Sequence, residues 1–149
     1  NSKYSKKYNK KYKIENQKEV NEKHKQYRRN RYKIDLKFNL TNKINTAINI
    51  SLKSNKNGKC WQSLVGYNLK NLIKRLKKTM PKGYTWQDFL EGKIEIDHII
   101  PISAFNFTKP EHTDFKRCWA LSNLRLLPKK ENRIKSNKLS RPFQLALKI

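Results

Sequence analysis

Two rhythms of apolar residues organise this chain from residue 36 onward. Leu36, Leu40, Ile44, Ala47, Ile48 and Leu52 recur at helical spacing, which predicts an amphipathic helix over 36–53. Asn55-Lys56-Asn57-Gly58 breaks it, and residues 60–66 make a short helix closed by Gly66. Asn68 is placed to cap the next helix, with Leu69, Leu72, Ile73 and Leu76 facing in and Lys70, Lys74, Arg75, Lys77 and Lys78 facing out. Pro81-Lys82-Gly83 turns the chain into Tyr84–Leu90, where Trp86 and Phe89 are core anchors.

The period then changes to two. Lys93-Ile94-Glu95-Ile96-Asp97 alternates as a strand with one buried face. Leu124 to Leu127 forms a second strand, Pro128 ends it, and Lys129 to about Lys138 is a helix. Between the strands, residues 99–120 form an insertion in which Pro110 opens a short helix ending near Trp119. Phe105, Phe107, Phe115 and Trp119 are expected to cover the strands as a local apolar lid. Pro142 sets off a short tail. The expected fold class is therefore α+β and mostly helical. Residues 1–35 form a basic helical arm, 36–90 a small helical region, 91–140 the strand–strand–helix unit, and 141–149 the tail.

Composition changes the picture most at the N-terminus. Residues 1–35 hold 13 Lys/Arg against 4 Asp/Glu and contain no Gly or Pro. Tyr4, Tyr8 and Tyr12 repeat every four residues, and Val20, His24 and Tyr27 continue the spacing. The block reads as one or two exposed basic helices with too little apolar surface to fold alone. Free, it is a solvated arm; bound, it lies along phosphates with tyrosines against sugars. The whole chain of 149 residues carries a formal +25, so its expected partner is a polyanion. A transmembrane helix is excluded, because no apolar run approaches the ~20 residues required. A membrane-surface helix would need Leu, Phe or Trp opposite its basic face, where the arm offers mainly Tyr. Cys60 and Cys118 stand far apart outside any C-x-x-C pair, so they read as buried or partly buried reduced thiols of a cytoplasmic protein without a zinc knuckle. No secretory signal opens the chain, and a first residue of Asn rather than Met is expected of a trimmed fragment.

Three short stretches carry chemistry: Asp97-His98-Ile99-Ile100-Pro101, Ser122-Asn123-Leu124, and Glu131-Asn132 followed by Lys135. Phosphodiester hydrolysis needs an activated water, charge neutralisation at the phosphate and help for the departing 3′ oxygen; one Mg²⁺ with a hard oxygen shell supplies the last two. Asp97 offers a carboxylate oxygen and Asn132 an amide oxygen. His98 points away from that ligand side and has an ordinary pKa near ~6.5, suited to a general base. Asn123, at the head of the second strand, is placed to tie down the loop around His98. Lys135, nearly one helical turn after Asn132, faces the same side and can contact the scissile phosphate. His24 and His112 lack such company and read as surface or capping histidines.

The full pattern, D-H-I-x-P, then S-N-L-x-x-L, then E-N-x-x-K, resembles the HNH nuclease finger. From about Leu36 to Lys138 the chain is similar to phage-associated HNH endonucleases, with counterparts in Leu64-Val65-Gly66, Thr85-Trp86, Ile96 to Pro101 with Ser103 and Phe105, and Asn123 to Lys135. The third motif letter is Asn132 rather than His, as in the HNH domain of CRISPR effector nucleases. The resemblance implies a ββα-metal finger preceded by basic helices. It makes Asp97 and Asn132 ligands of Mg²⁺ (or Mn²⁺), His98 the base and Asn123 its support. It also implies cleavage of double-stranded DNA by a homing, restriction or phage enzyme. One metal site cuts one strand, so the protein nicks as a monomer or breaks both strands as a homodimer. Backbone contacts are expected from Lys10, Lys11, Arg28, Arg29, Arg31, Lys74, Arg75, Lys129, Lys130 and Arg133. The alternative is a non-catalytic basic nucleic-acid-binding module with an inert finger. A secreted nuclease toxin has little in the sequence to support it.

Overall fold

The computed structural model describes residues 2–140 and 142–145. Helix α1 (Ser2–Glu15) and helix α2 (Gln17–Ile34) form the arm, and none of the residues of α2 is buried. They meet at Asn16, whose side-chain amide donates to the Tyr12 carbonyl at 3.0 Å. Polar residues on every side explain the exposure. The inner end of α2 nevertheless packs against the body, because its last turn is tied to helix α3 (Leu36–Ser51). Asp35 caps α3 by accepting from the Phe38 amide at 3.0 Å, and Asn39 donates back to the Tyr32 carbonyl at 2.8 Å. That cap, followed by the Arg31 guanidinium, holds the Asp35 carboxyl below its usual range.

The apolar stripe of α3 places Leu40, Ile44 and Ile48 inside, and Leu52 continues the buried row. Helix α4 (Trp61–Val65) stops at Gly66, whose φ of 76° is the left-handed conformation glycine accepts without penalty. Helix α5 (Leu69–Lys78) starts with a reciprocal Asn68–Asn71 cap and helix α6 (Trp86–Leu90) with a Thr85–Asp88 capping box. Strand β1 (Ile94–His98) pairs antiparallel with strand β2 (Leu124–Pro128) as a two-stranded sheet. Helix α7 (Thr113–Cys118) lies between them in sequence, and helix α8 (Lys129–Lys135) follows β2 directly and packs on both strands. The molecule is thus mostly helical with one small sheet.

One apolar cluster joins these pieces: Leu40 and Ile48 of α3, Leu72 and Leu76 of α5, Phe89 of α6, and Ile94, Leu124 and Leu126 of the strands. A two-stranded sheet is marginal by itself, so residues 36–90 supply the wall against which it stands. Helix α5 also covers the outer edge of β2. Arg75 donates through Nε to the Leu124 carbonyl at 2.9 Å and through Nη2 to the Ser122 carbonyl at 3.1 Å, while the Leu126 amide donates to Thr79 Oγ1 at 3.1 Å. Edge groups that would otherwise be free to pair with another chain are occupied.

Several expectations are corrected. Arg75, expected to face out, turns inward because those open carbonyls lie within reach of its long side chain. Phe115 and Trp119 are part of the main core, at 0% and 1% exposure, rather than a lid. Phe105 and Phe107 pack on that core from outside, Phe107 meeting Phe115 edge-on at 5.4 Å. Trp86 is half-buried and stands edge-on to the fully buried Phe89 at 5.9 Å. Helix α7 begins at Thr113 rather than Pro110, because His112 is extended (φ −63°, ψ 137°) and its Nδ1 accepts from the Thr108 amide at 3.3 Å. Helix α8 stops at Lys135, short of Lys138, where Ser136 takes φ 48° and ψ −133°. Cys60 is exposed just before α4, and Cys118 is buried. Of the tail, Phe143 packs on Phe105 at 4.7 Å and lies beneath the Arg117 guanidinium at 4.6 Å. Arg141 and residues 146–149 lie outside the described residues. Among the described residues, no helix is long and apolar enough to cross a membrane.

Candidate metal and catalytic site

The register of the two strands decides which side chains can meet. Asp97 stands opposite Arg125 and His98 opposite Leu124. Because successive residues of a strand alternate faces, Glu95 and Asp97 share one face with Arg125 and Leu127. Ile94, Ile96 and His98 share the other with Leu124 and Leu126. Helix α8 crosses the first face; Trp119 closes the second.

On the α8 face, Asp97 is 5% exposed, and both its oxygens are engaged by cations. Arg125 Nε lies 2.8 Å from Oδ2, and Lys135 Nζ lies 2.7 Å from Oδ1. The same ammonium donates to the His98 carbonyl at 2.5 Å. A buried carboxylate is tolerated only when its lost hydration is replaced by such partners. One turn back along α8, Asn132 donates through Nδ2 to Glu95 Oε2 at 3.0 Å, so its amide oxygen is not used in that bond.

On the opposite face, the His98 ring meets Trp119 edge-on with centroids 4.6 Å apart. Its Nε2 is buried and has no hydrogen-bond partner among the described residues. Burial pushes the imidazole pKa down to about 4, against the opposing pull of the Asp97 carboxylate. The ring is therefore neutral at pH 7. An orphaned polar atom in a buried site costs free energy unless something arrives to satisfy it.

Asn123 is buried, and its side-chain partners among the described residues are all backbone groups. Its Oδ1 accepts from the Ile100 amide at 2.8 Å, and its Nδ2 donates to the carbonyls of Ile100 at 3.1 Å and Cys118 at 2.9 Å. Its own carbonyl accepts from the Ile99 amide at 2.8 Å. The segment leaving His98 is thereby anchored to the end of α7 and the head of β2.

The structure thus gathers Asp97, His98, Asn123, Asn132 and Lys135 around two strands and one helix. Lys129, Lys130 and Arg133 are exposed on α8, the same helix that carries Asn132 and Lys135; Lys74 is exposed on α5. Lys10, Lys11, Arg28 and Arg29 are exposed on the arm. Arg31 is engaged instead: it pairs with Asp35 at 3.0 Å and lies 4.4 Å over the Phe38 ring. Arg75 is spent on β2. Sequence reasoning missed Glu95, Arg125 and the Trp119 wall. Glu95 was marked by standing two residues before Asp97 on an alternating strand, and Arg125 by lying two residues past Asn123 on the strand that must pair with β1.

The donors on the α8 face are hard oxygens: the Asp97 carboxylate, the His98 carbonyl, the Asn132 amide and, next to it, the Glu95 carboxylate. That chemistry fits Mg²⁺ or Mn²⁺, which accept a few protein oxygens and keep waters in the remaining positions. No group of three or more His, Cys, Asp or Glu side chains suited to a metal occurs among the described residues, so a site here would rest on few protein ligands. Compared with protein-family models, curated proteins and solved structures, the chain matches none.

Proposed function

We propose that this protein is a Mg²⁺-dependent (or Mn²⁺-dependent) endonuclease of the HNH type that hydrolyses phosphodiester bonds in double-stranded DNA. The observation that carries the reading is the juxtaposition on β1. Asp97 faces an Asn- and Lys-bearing helix, while His98, one residue on, carries on the other side a buried imidazole whose Nε2 has no partner among the described residues.

In this mechanism Asp97 and Asn132 would hold the divalent ion, which when bound would supply charge neutralisation at the phosphate and at the departing oxygen. The remaining work falls to the chain's own side chains. His98 is the candidate base for the attacking water, a role that requires its buried Nε2 to be uncovered and brought to the substrate; its depressed pKa keeps it unprotonated at neutral pH. Asn123 is a positioning residue that holds the backbone after His98. Lys135 and Arg125 bring positive charge to the phosphate. Lys129, Lys130 and Arg133 extend that charge along α8, and the arm adds contacts to flanking phosphates. One such centre hydrolyses one strand, so a monomer nicks and a double-strand break requires a homodimer or two successive events.

Supercoiled plasmid incubated with the protein in Mg²⁺ or EDTA, beside His98→Ala, tests the reading. Open-circular or linear product that requires the metal and is lost in the variant is the expected result. A second reading, a basic nucleic-acid-binding protein with an inert finger, is favoured by one observation: Asp97 is already satisfied by Arg125 and Lys135. Tight, salt-sensitive binding with no cleavage of plasmid, linear DNA or RNA would establish it instead.

A further inference from the structure

The ammonium of Lys135 occupies two oxygens that a metal ion on the α8 face would draw on. It lies 2.7 Å from Asp97 Oδ1 and 2.5 Å from the His98 carbonyl oxygen, two hard acceptors of the kind Mg²⁺ takes. Its side chain is 16% exposed, so the ammonium is held under α8 rather than in solvent. Arg125 occupies the second carboxylate oxygen at 2.8 Å. The trio of Asp97, Arg125 and Lys135 therefore carries one net positive charge, and an approaching divalent cation meets repulsion instead of a free carboxylate.

Two further features show how the arrangement opens. Lys135 is the last residue of α8, and the chain turns away at Ser136 with φ 48°, so no following helical turn confines its side chain. Beside it runs an open groove of about 440 Å³ whose lining includes Ile99, Arg125, Glu131, Ile134, Lys135 and Lys138. A phosphate entering that groove meets three cations, Arg125, Lys135 and Lys138, against the single carboxylate of Glu131.

We propose that Lys135 is a resident stand-in cation that keeps divalent metal out of the site until a nucleic-acid phosphate withdraws it. The inference rests on the nuclease reading, since it assumes that Asp97 is a metal ligand. Metal and nucleic acid then bind with positive coupling: the phosphate takes over the ammonium, and Asp97 Oδ1 and the His98 carbonyl are freed together. By reciprocity the metal strengthens nucleic-acid binding by the same factor.

Mn²⁺ binding followed by electron paramagnetic resonance, without nucleic acid, tests this on wild type, Lys135→Met, Lys135→Gln and Asp97→Asn. Removing the ammonium is expected to tighten Mn²⁺ binding by about ten-fold or more, within the usual range of such couplings, while Asp97→Asn abolishes it. The glutamine variant covers the case in which the methionine variant fails to fold. A third measurement needs no change at Lys135: a short duplex should raise the Mn²⁺ affinity of His98→Ala, with the duplex plus Asp97→Asn as background. Lysine variants that bind Mn²⁺ no tighter than a wild type that does cleave plasmid would overturn the gate and leave the nuclease standing. Mn²⁺ binding that is indifferent to Asp97→Asn in every protein would overturn the metal site itself.

Discussion

The arm and the paired strands use the same charged residues under opposite conditions. On α1 and α2 the ion pairs are Lys11–Glu15 at 3.8 Å, Lys23–Glu19 at 2.6 Å and Lys25–Glu22 at 2.8 Å, each within one helix and each with both partners more than half exposed. Around β1, Asp97 joins Arg125 across the sheet and Lys135 across 38 positions of sequence, with 5% and 16% exposure at Asp97 and Lys135. Water and salt screen the first kind, so those pairs shape a helix and leave its charge available to a polyanion. The second kind is stripped of water, so each partner depends on the others and their arrangement fixes how two strands and a helix meet. Exposed charge stays available; buried charge organises.

The largest expected effect lies where the core meets the candidate site. Trp119→Ala should lose about 3–5 kcal/mol in urea unfolding, because Trp119 is 1% exposed and its indole N–H donates to Ser51 Oγ at 3.3 Å. Tyr12→Ala on the arm should leave the midpoint where it is. Next comes Asp97→Ala, which strands Lys135 and Arg125 without their carboxylate and should remove about 3 kcal/mol. If that variant unfolds at the same urea concentration as Glu19→Ala, the distinction between the two kinds of ion pair is lost.

A smaller, pH-dependent effect sharpens the contrast from the other side. Burial, followed by the nearby Asp114 charge, pushes the Cys118 thiol up to about 12 from an ordinary value of 9.0. Burial raises the Tyr67 phenol as well. The unfolded chain releases these protons at lower pH than the folded one, so their contribution is complete below about pH 9 and declines as pH rises beyond it. Urea midpoints measured from pH 8 to 11 should fall, and Cys118→Ala should flatten the slope even as it lowers the starting level. The smallest expected change in stability comes from deleting residues 1–15. The midpoint should hold, while the slope of log affinity against log salt for duplex DNA should shrink by up to about 5 for the six lysines removed. An unchanged slope would mean that α1 does not touch phosphate.

Much of the secondary structure was legible because local periodicity encodes it. The stripe from Leu36 to Leu52, the Asn68 cap, the Gly66 stop and the alternation through Ile94 and Ile96 each depend on residues a few positions apart, and each appears where the spacing predicts. The motif residues of the candidate site were also legible as types at characteristic spacings. Their partners were not. Helical periodicity assigned Arg75 to an outer face, yet its guanidinium reaches carbonyls 47 and 49 positions away. Phe115 and Trp119 were recognisable as apolar, but whether they roofed the strands or entered the core depended on α3 and α5 coming to stand behind the sheet. Lys135 was placed on the right side of its helix by counting, and only the packing of α8 across β1 brought its ammonium between Asp97 and the His98 carbonyl. By itself the sequence determined most of the elements, the charged arm and the residue types at the candidate site, because these follow from composition and near-neighbour geometry. The tertiary structure alone decided which cations remain free for a polyanion and which are consumed inside, because long flexible side chains go to whichever unsatisfied oxygen the fold brings near.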